Sequence, residues 1–233
     1  NDSIYRLEYE GSDFEALQIA ERFVHIDGLQ IQRTTSTNDH RAVVLTPGNS
    51  SSAEIKLSNN IIRGITSGNS NYAIFYVFYW ASGGPMVLKA WNNIIYGFTA
   101  EAILNYNPWT TYAYSNTIYN CSTGIYAHSG TLLAKNNLVQ NCSEDYDGSN
   151  FHADSSNNIG ESETGPGSNS DQCTATFADE ENYDFHLSAS DTCVIDNGAD
   201  LSTDTYLSFT TDIDGVTRTG SWDIGADEYV GRQ

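Results

Sequence analysis

The feature that most constrains this chain is a short pattern that returns along its length. Asn59-Asn60-Ile61-Ile62-Arg63-Gly64, Asn92-Asn93-Ile94-Ile95-Tyr96-Gly97, Ser115-Asn116-Thr117-Ile118-Tyr119-Asn120 and Asn136-Asn137-Leu138-Val139-Gln140-Asn141 can be laid under one another. Asn157-Asn158-Ile159 is a weaker copy, and Asp27-Gly28-Leu29-Gln30-Ile31 an earlier variant. With Asn60, Asn93, Asn116 and Asn137 equivalent, the steps are 33, 23 and 21 residues. A unit of about 20 to 25 residues suits one coil of a solenoid made of short strands and turns. The longer first step places an insertion between Gly68 and Gly84, where aromatic residues crowd.

The flanks keep the same register. Ile55 and Leu57 match Leu88 and Ala90, then Leu132 and Ala134, a period of two that predicts strands. Two places after the asparagine stand Ile62, Ile95, Ile118 and Val139. Stacked at about 4.8 Å, these form an inward aliphatic column. Asparagines at one turn of successive coils can hydrogen-bond amide to amide and so satisfy buried polar groups. The expectation is an all-β parallel β-helix over residues 1–160, one structural unit with 161–233. Gly160 to Ser170 reads as a loop leaving the repeat, and the remainder as an irregular C-terminal cap with the last coils.

Four cysteines, Cys121, Cys142, Cys173 and Cys193, make an even count without a Cys-x-x-Cys pair, which points to two disulfides in an oxidising compartment. Cys121 and Cys142 both fall five places after their asparagine. Equivalent sites of neighbouring coils lie about 4.8 Å apart at Cα, within disulfide range. A Cys121–Cys142 bridge is therefore expected, and by elimination a Cys173–Cys193 bridge.

The net charge is −20, from 30 acidic and 10 basic side chains. With no lysine and arginine cluster to neutralise phosphate, nucleic acid and anionic membrane are excluded as partners. No run of about 18 apolar residues exists to insert in a bilayer. The chain starts at Asn1 without a methionine or an apolar signal core, and reads as the mature product of an exported, extracellular protein.

At these residues the chain resembles the secreted bacterial right-handed parallel β-helix proteins, the pectate-lyase-like superfamily. The Asn-Asn-x-Ile coils from Asp27 to Ile159 carry one part of the likeness. The other is a C-terminal pattern of Phe185-His186-Leu187, Ile195-Asp196-Asn197-Gly198, Asp212-Ile213-Asp214-Gly215, Arg218 and Asp223-Ile224-Gly225-Ala226-x-Glu228. The resemblance implies a right-handed parallel β-helix (solenoid) outside the cell, often at a cell surface. It leaves function open, since the superfamily hosts lyases, hydrolases, binding modules and adhesins.

The polysaccharide lyases need a base and a cation for the uronate. Lys56 and Lys89, each four places before its asparagine, should stack on one outward face; they read first as solvated surface lysines, and such a pair could also hold an acidic sugar. Hydrolases need clustered carboxylates. Glu101, Asp145, Asp147 and Asp154 are candidates near His128 and His152, but Glu101 aligns with Gly124 and Asp145, so no column repeats a carboxylate in adjacent coils. Asp145-Tyr146-Asp147-Gly148 and Asp212-Ile213-Asp214-Gly215 resemble the start of a calcium loop but lack its later ligands, and read first as tight turns. No cofactor is required; calcium is the one ion the pattern allows. Arg218 is placed to pair with a carboxylate of the cap.

The aromatic residues supply the binding expectation: Tyr76, Tyr79, Trp80, Trp91, Tyr96, Trp109, Tyr114 and Tyr119. Tyr96 and Tyr119 are equivalent, as are Trp91 and Tyr114, and both pairs sit at odd offsets from the inward isoleucine. They should form exposed outward stacks, unless a loop folds back over them. The expected function is a non-catalytic β-helix that binds carbohydrate or other copies of itself through these faces. The alternative is a polysaccharide lyase or glycoside hydrolase. Asn120-Cys121-Ser122 and Asn141-Cys142-Ser143 are glycosylation acceptors where the host glycosylates them.

Overall fold

The computed structural model describes residues 6–9, 15–33, 40–48, 52–65, 71–76, 84–106 and 109–231. These residues are all-β, with a single 3-10 turn at Glu180–Asn182. All but two of the strands are joined in two parallel sheets, in which each repeat adds a strand beside its equivalent in the repeat before; Phe177–Asp179 and Asp184–Leu187 form a separate antiparallel pair. Phe23–Asp27, Ala53–Ser58, Met86–Trp91, Trp109–Tyr114 and Thr131–Lys135 form a five-stranded sheet. The second sheet has twelve strands, tied together by the long Ile94–Asn105 and Thr117–Ala127.

The expected file is present. Ile62 pairs with Ile95, Ile95 with Ile118 and Ile118 with Val139, and Ile31 extends the column on the other side. Val43, Ile74, Ile103, Ile125 and Tyr146 make a second file. The inward residues of the five-stranded sheet, among them Ile55, Leu88 and Leu132, close the same core. All of these side chains lie in one buried cluster, the apolar burial that holds the sheets face to face.

Both asparagines of the repeated pair have a physical reason. The first, Asn59, Asn92, Asn136 or Asn157, takes a left-handed backbone with φ between 51 and 55°. Asparagine tolerates that region better than most side chains. Ser115 holds the same corner at φ 49°. The second asparagine builds the row: the Nδ2 of Asn60, Asn93 and Asn116 donates at 3.0 Å to Oδ1 of the next asparagine, and Asn137 donates to Asn158 at 2.9 Å. Each acceptor also takes the backbone N–H of the same preceding asparagine, at 3.0–3.1 Å. At the last member, Asn158 Nδ2 meets the Pro166 carbonyl at 2.9 Å and its N–H meets Ser170 Oγ at 3.0 Å.

Residues 160–170 leave the stack but return to it, since Asp171–Gln172 pairs in parallel with Ile159–Gly160. Residues 173–229 pack along the flank of the stack. Phe177, Phe185, Leu187, Val194, Ile224 and Ala226 pack on Ile94, Tyr96, Tyr119 and Leu138. Leu201, Leu207 and Trp222 pack on Tyr114 and Leu133. Buried Arg218 fastens this segment, pairing with Glu228 at 3.1 Å and donating to the carbonyls of Gly225 and Ala226 and to Asn92 Oδ1.

The cysteine expectation is corrected in part. Cys173 and Cys193 form a disulfide, whereas Cys121 and Cys142 are free thiols. They stack as expected, with the Cys121 N–H donating to Cys142 Sγ at 3.3 Å. Side chains on adjacent in-register parallel strands point the same way, which leaves their Cβ atoms about 4.8 Å apart. A disulfide needs Cβ atoms at about 3.8 Å. Each thiol instead donates to a carbonyl two residues back, Cys121 to Tyr119 and Cys142 to Gln140. The neighbouring Cys121 and burial push the Cys142 thiol well up.

Candidate functional site

The site lies on the outward face of the five-stranded sheet. Its in-register rows read His25, Lys56, Lys89, Tyr112, Leu133 and, beside them, Asp27, Ser58, Trp91, Tyr114, Lys135. All three lysines of a chain with net charge −20 therefore stand on this one face. Alternation puts them there, because Ile55, Leu57, Leu88 and Ala90 take the inward positions between them.

The returning segment turns this face into a groove of about 380 Å³, lined by His25, Lys56, Lys89 and Trp91 on the sheet and Asp204 to Ser208 on the opposite wall. Glu54 links the two lysines, with Nζ–O distances of 3.1 Å to Lys56 and to Lys89. Burial alone would raise the Glu54 pKa, but the hydrogen bonds and charges of both lysines hold it below the usual range. Asp204 is held low in the same way against its burial, by Lys135 at 2.6 Å and by the N–H groups of Tyr206 and Leu207. The aromatic walls are Trp91, tilted against His25 at 5.3 Å, and exposed Tyr206, stacked on Tyr112 at 5.3 Å. His25 Nε2 meets buried Ser58 Oγ at 2.7 Å, and Ser58 donates to Asp27. In this relay the hydroxyl is the middle member, so it orients the imidazole and does not act as an exposed nucleophile.

Chemically, the groove offers two ammonium groups on neighbouring rungs, bridged by a carboxylate that an acidic ligand could replace, between aromatic surfaces on which a sugar ring can stack. The described carboxylates at its floor and wall, Glu54 and Asp204, are both ion-paired.

The sequence-predicted aromatic residues divide. Trp91 reaches the groove. Tyr96, Tyr114 and Tyr119 keep the expected registers but are not exposed, at 5%, 0% and 8%. The returning segment covers them, because so broad an apolar surface is costly in water. Two of the hydroxyls are anchored: Tyr119 to Glu180, burial and that bond raising its pKa to about 12, and Tyr114 to Asp204 at 3.2 Å. Trp109 is an interior residue, sharing the inward phase of Thr111 and Ala113. The Tyr76 side chain, Tyr79 and Trp80 lie outside the described residues. Sequence reasoning missed His25 and the Asp204–Ser208 wall. His25 could have been found two residues before Asp27, in the column of Lys56; nothing local marks Asp204 to Ser208.

The carboxylate alignment is also corrected. Glu101 pairs with Thr123, and Thr123 with Glu144, one residue off the expected Gly124 and Asp145, because an irregularity between Phe98 and Glu101 shifts the register. Asp212 Oδ1 accepts the N–H groups of Asp214 and Val216 and its Oδ2 that of Glu228, so this Asp-x-Asp-Gly is a side-chain-braced turn. Among the described residues no helix is long and apolar enough to cross a membrane. No family model, curated protein or solved structure matches the chain.

Proposed function

We propose that this chain is a right-handed parallel β-helix of the pectate-lyase-like kind that works outside the cell as a carbohydrate-binding protein. Its lysine and tryptophan groove would take an acidic glycan without cleaving it. The observation that carries this reading is the placement of Lys56 and Lys89 beside Trp91 in a groove of an otherwise acidic protein. Their ammonium groups would replace Glu54 as partner with a uronate carboxylate, and Trp91 and Tyr206 would hold the apolar face of the sugar. The disulfide Cys173–Cys193 fits an oxidising compartment.

Calorimetry with oligogalacturonate, alginate oligomers and neutral cello-oligosaccharides tests it. Acidic oligomers should bind, more weakly as salt rises, and neutral ones should not. Lys56→Ala and Lys89→Ala should each weaken binding about tenfold or more, the cost of losing a charged hydrogen bond. Equal binding of neutral and acidic oligomers would refute the reading, and release of unsaturated uronate would show the lyase alternative. Self-association has one feature in its favour: Leu7 and Phe23, 41% and 75% exposed, lie on strands that end the stacked order among the described residues. Concentration-dependent light scattering that Phe23→Ser abolishes is its test.

A further inference from the structure

Away from the groove, the C-terminal segment gathers a different set of side chains. His186 lies on the strand Asp184–Leu187, Asp214 in the turn after Asp212, and Asp227 near the end of the buried tail. One ligand-type atom from each falls within 4.8 Å of the other two. They face a small cavity of about 160 Å³, also lined by Asp212, Glu228 and Tyr229. We propose that His186 Nε2 and the carboxylates of Asp214 and Asp227 form a binding site for a divalent transition ion of zinc-like chemistry.

The support around these atoms is what a metal site needs. A metal-bound histidine usually gives its other ring N–H to a carboxylate, which sets the tautomer and aims the free nitrogen. His186 Nδ1 is hydrogen-bonded to Asp184 Oδ1, and Nε2 is aimed at Asp214 Oδ2, 2.8 Å away. The ion would take the place of the proton held in that second contact. Asp227 is buried and positioned by the Leu187 N–H, which meets its Oδ2 at 2.7 Å, so the residue after the histidine fixes the second ligand. Asp214 is set by the Asp212 Oδ1 that accepts its N–H at 3.0 Å, and its side chain is about half exposed. A tetrahedral ion with bonds of about 2.1 Å wants ligand atoms roughly 3.4 Å apart. The three atoms, none more than 4.8 Å from another, bracket that spacing. One imidazole with two carboxylates favours zinc over calcium, which prefers six or more oxygens. Water would fill the fourth position.

The test is calorimetric titration of the chelator-treated full chain with zinc chloride, with calcium chloride in parallel and cobalt absorption as a direct signature. Zinc should bind at one ion per chain, and cobalt should give a tetrahedral spectrum. Asp214→Asn and His186→Gln should each weaken zinc about tenfold or more, Asp184→Asn by about tenfold through the imidazole, and the remote Glu181→Gln not at all. Asp214 is exposed, so Asp214→Asn should keep the wild-type circular dichroism, and it decides the question if His186→Gln does not fold. Absence of zinc binding, tighter calcium than zinc, or unchanged affinity in Asp214→Asn would each overturn the proposal.

Discussion

At the scale of single residues, Asn116 shows what the repeated pair is for. Its amide accepts two bonds from Asn93 and donates to Asn137 Oδ1 and to the Ala90 carbonyl. Asn116→Ala leaves the Asn93 N–H and the Ala90 carbonyl buried without these partners. An unsatisfied buried group costs about 1–3 kcal/mol, so the variant should lose on the order of 3 kcal/mol, read as a lower urea midpoint at unchanged slope. Asp223 makes a pH-dependent case. Burial raises its pKa to about 6, against the pull of the Asp196 and Tyr229 N–H groups and Arg218. A carboxyl that titrates higher folded than unfolded contributes stability fully present below its unfolded pKa of about 3.9. That contribution is lost as pH rises through about 6. The stability of wild type relative to Asp223→Asn should therefore fall between pH 4 and pH 6.5, by about 2 kcal/mol in denaturant titrations at fixed salt.

At the scale of elements, the returning segment decides which outward columns see water. Trp222 is buried against Tyr114, Leu201 and Leu207. Trp222→Ala should cost about 4 kcal/mol, and exposure of the rings it covers should shift the remaining tryptophan emission to the red. An unshifted spectrum with native stability would mean that the segment holds without it. The columns themselves were legible in the sequence, because a two-residue period and a recurring asparagine give phase and register together. Their cover was not. Residues 199–222 carry no repeat that names a partner, and contacts such as Asn92 Nδ2 to the Thr211 carbonyl span 119 positions. The carboxylate alignment failed for a smaller reason: one irregularity in Ile94–Asn105 moves its later pairings with Thr117–Ala127 by a residue, and no local signal marks it.

At the scale of the whole molecule, the cysteines report whether stack and flank are both in place. Cys173–Cys193 lies in the flanking cluster, while Cys121 and Cys142 sit on adjacent rungs of the stack. Thiol titration without reductant should find two reactive groups in the unfolded chain and few in the native one; four, or none, would contradict the arrangement. Full reduction should free the flanking segment before the stack melts, because the core residues of the stack make no use of that bond. The candidate groove straddles both parts, with a floor legible from phase alone and a wall that needs the completed chain.

The amide row has a direction, every amide-to-amide bond being donated to the later neighbour. Its two ends are therefore chemically unlike, and the far one is finished by a carbonyl and a hydroxyl that impersonate one more asparagine. Pro166 and Ser170 thus close the amide row itself: the donors that a further asparagine would have met are already taken, even though one more parallel strand is laid beside it.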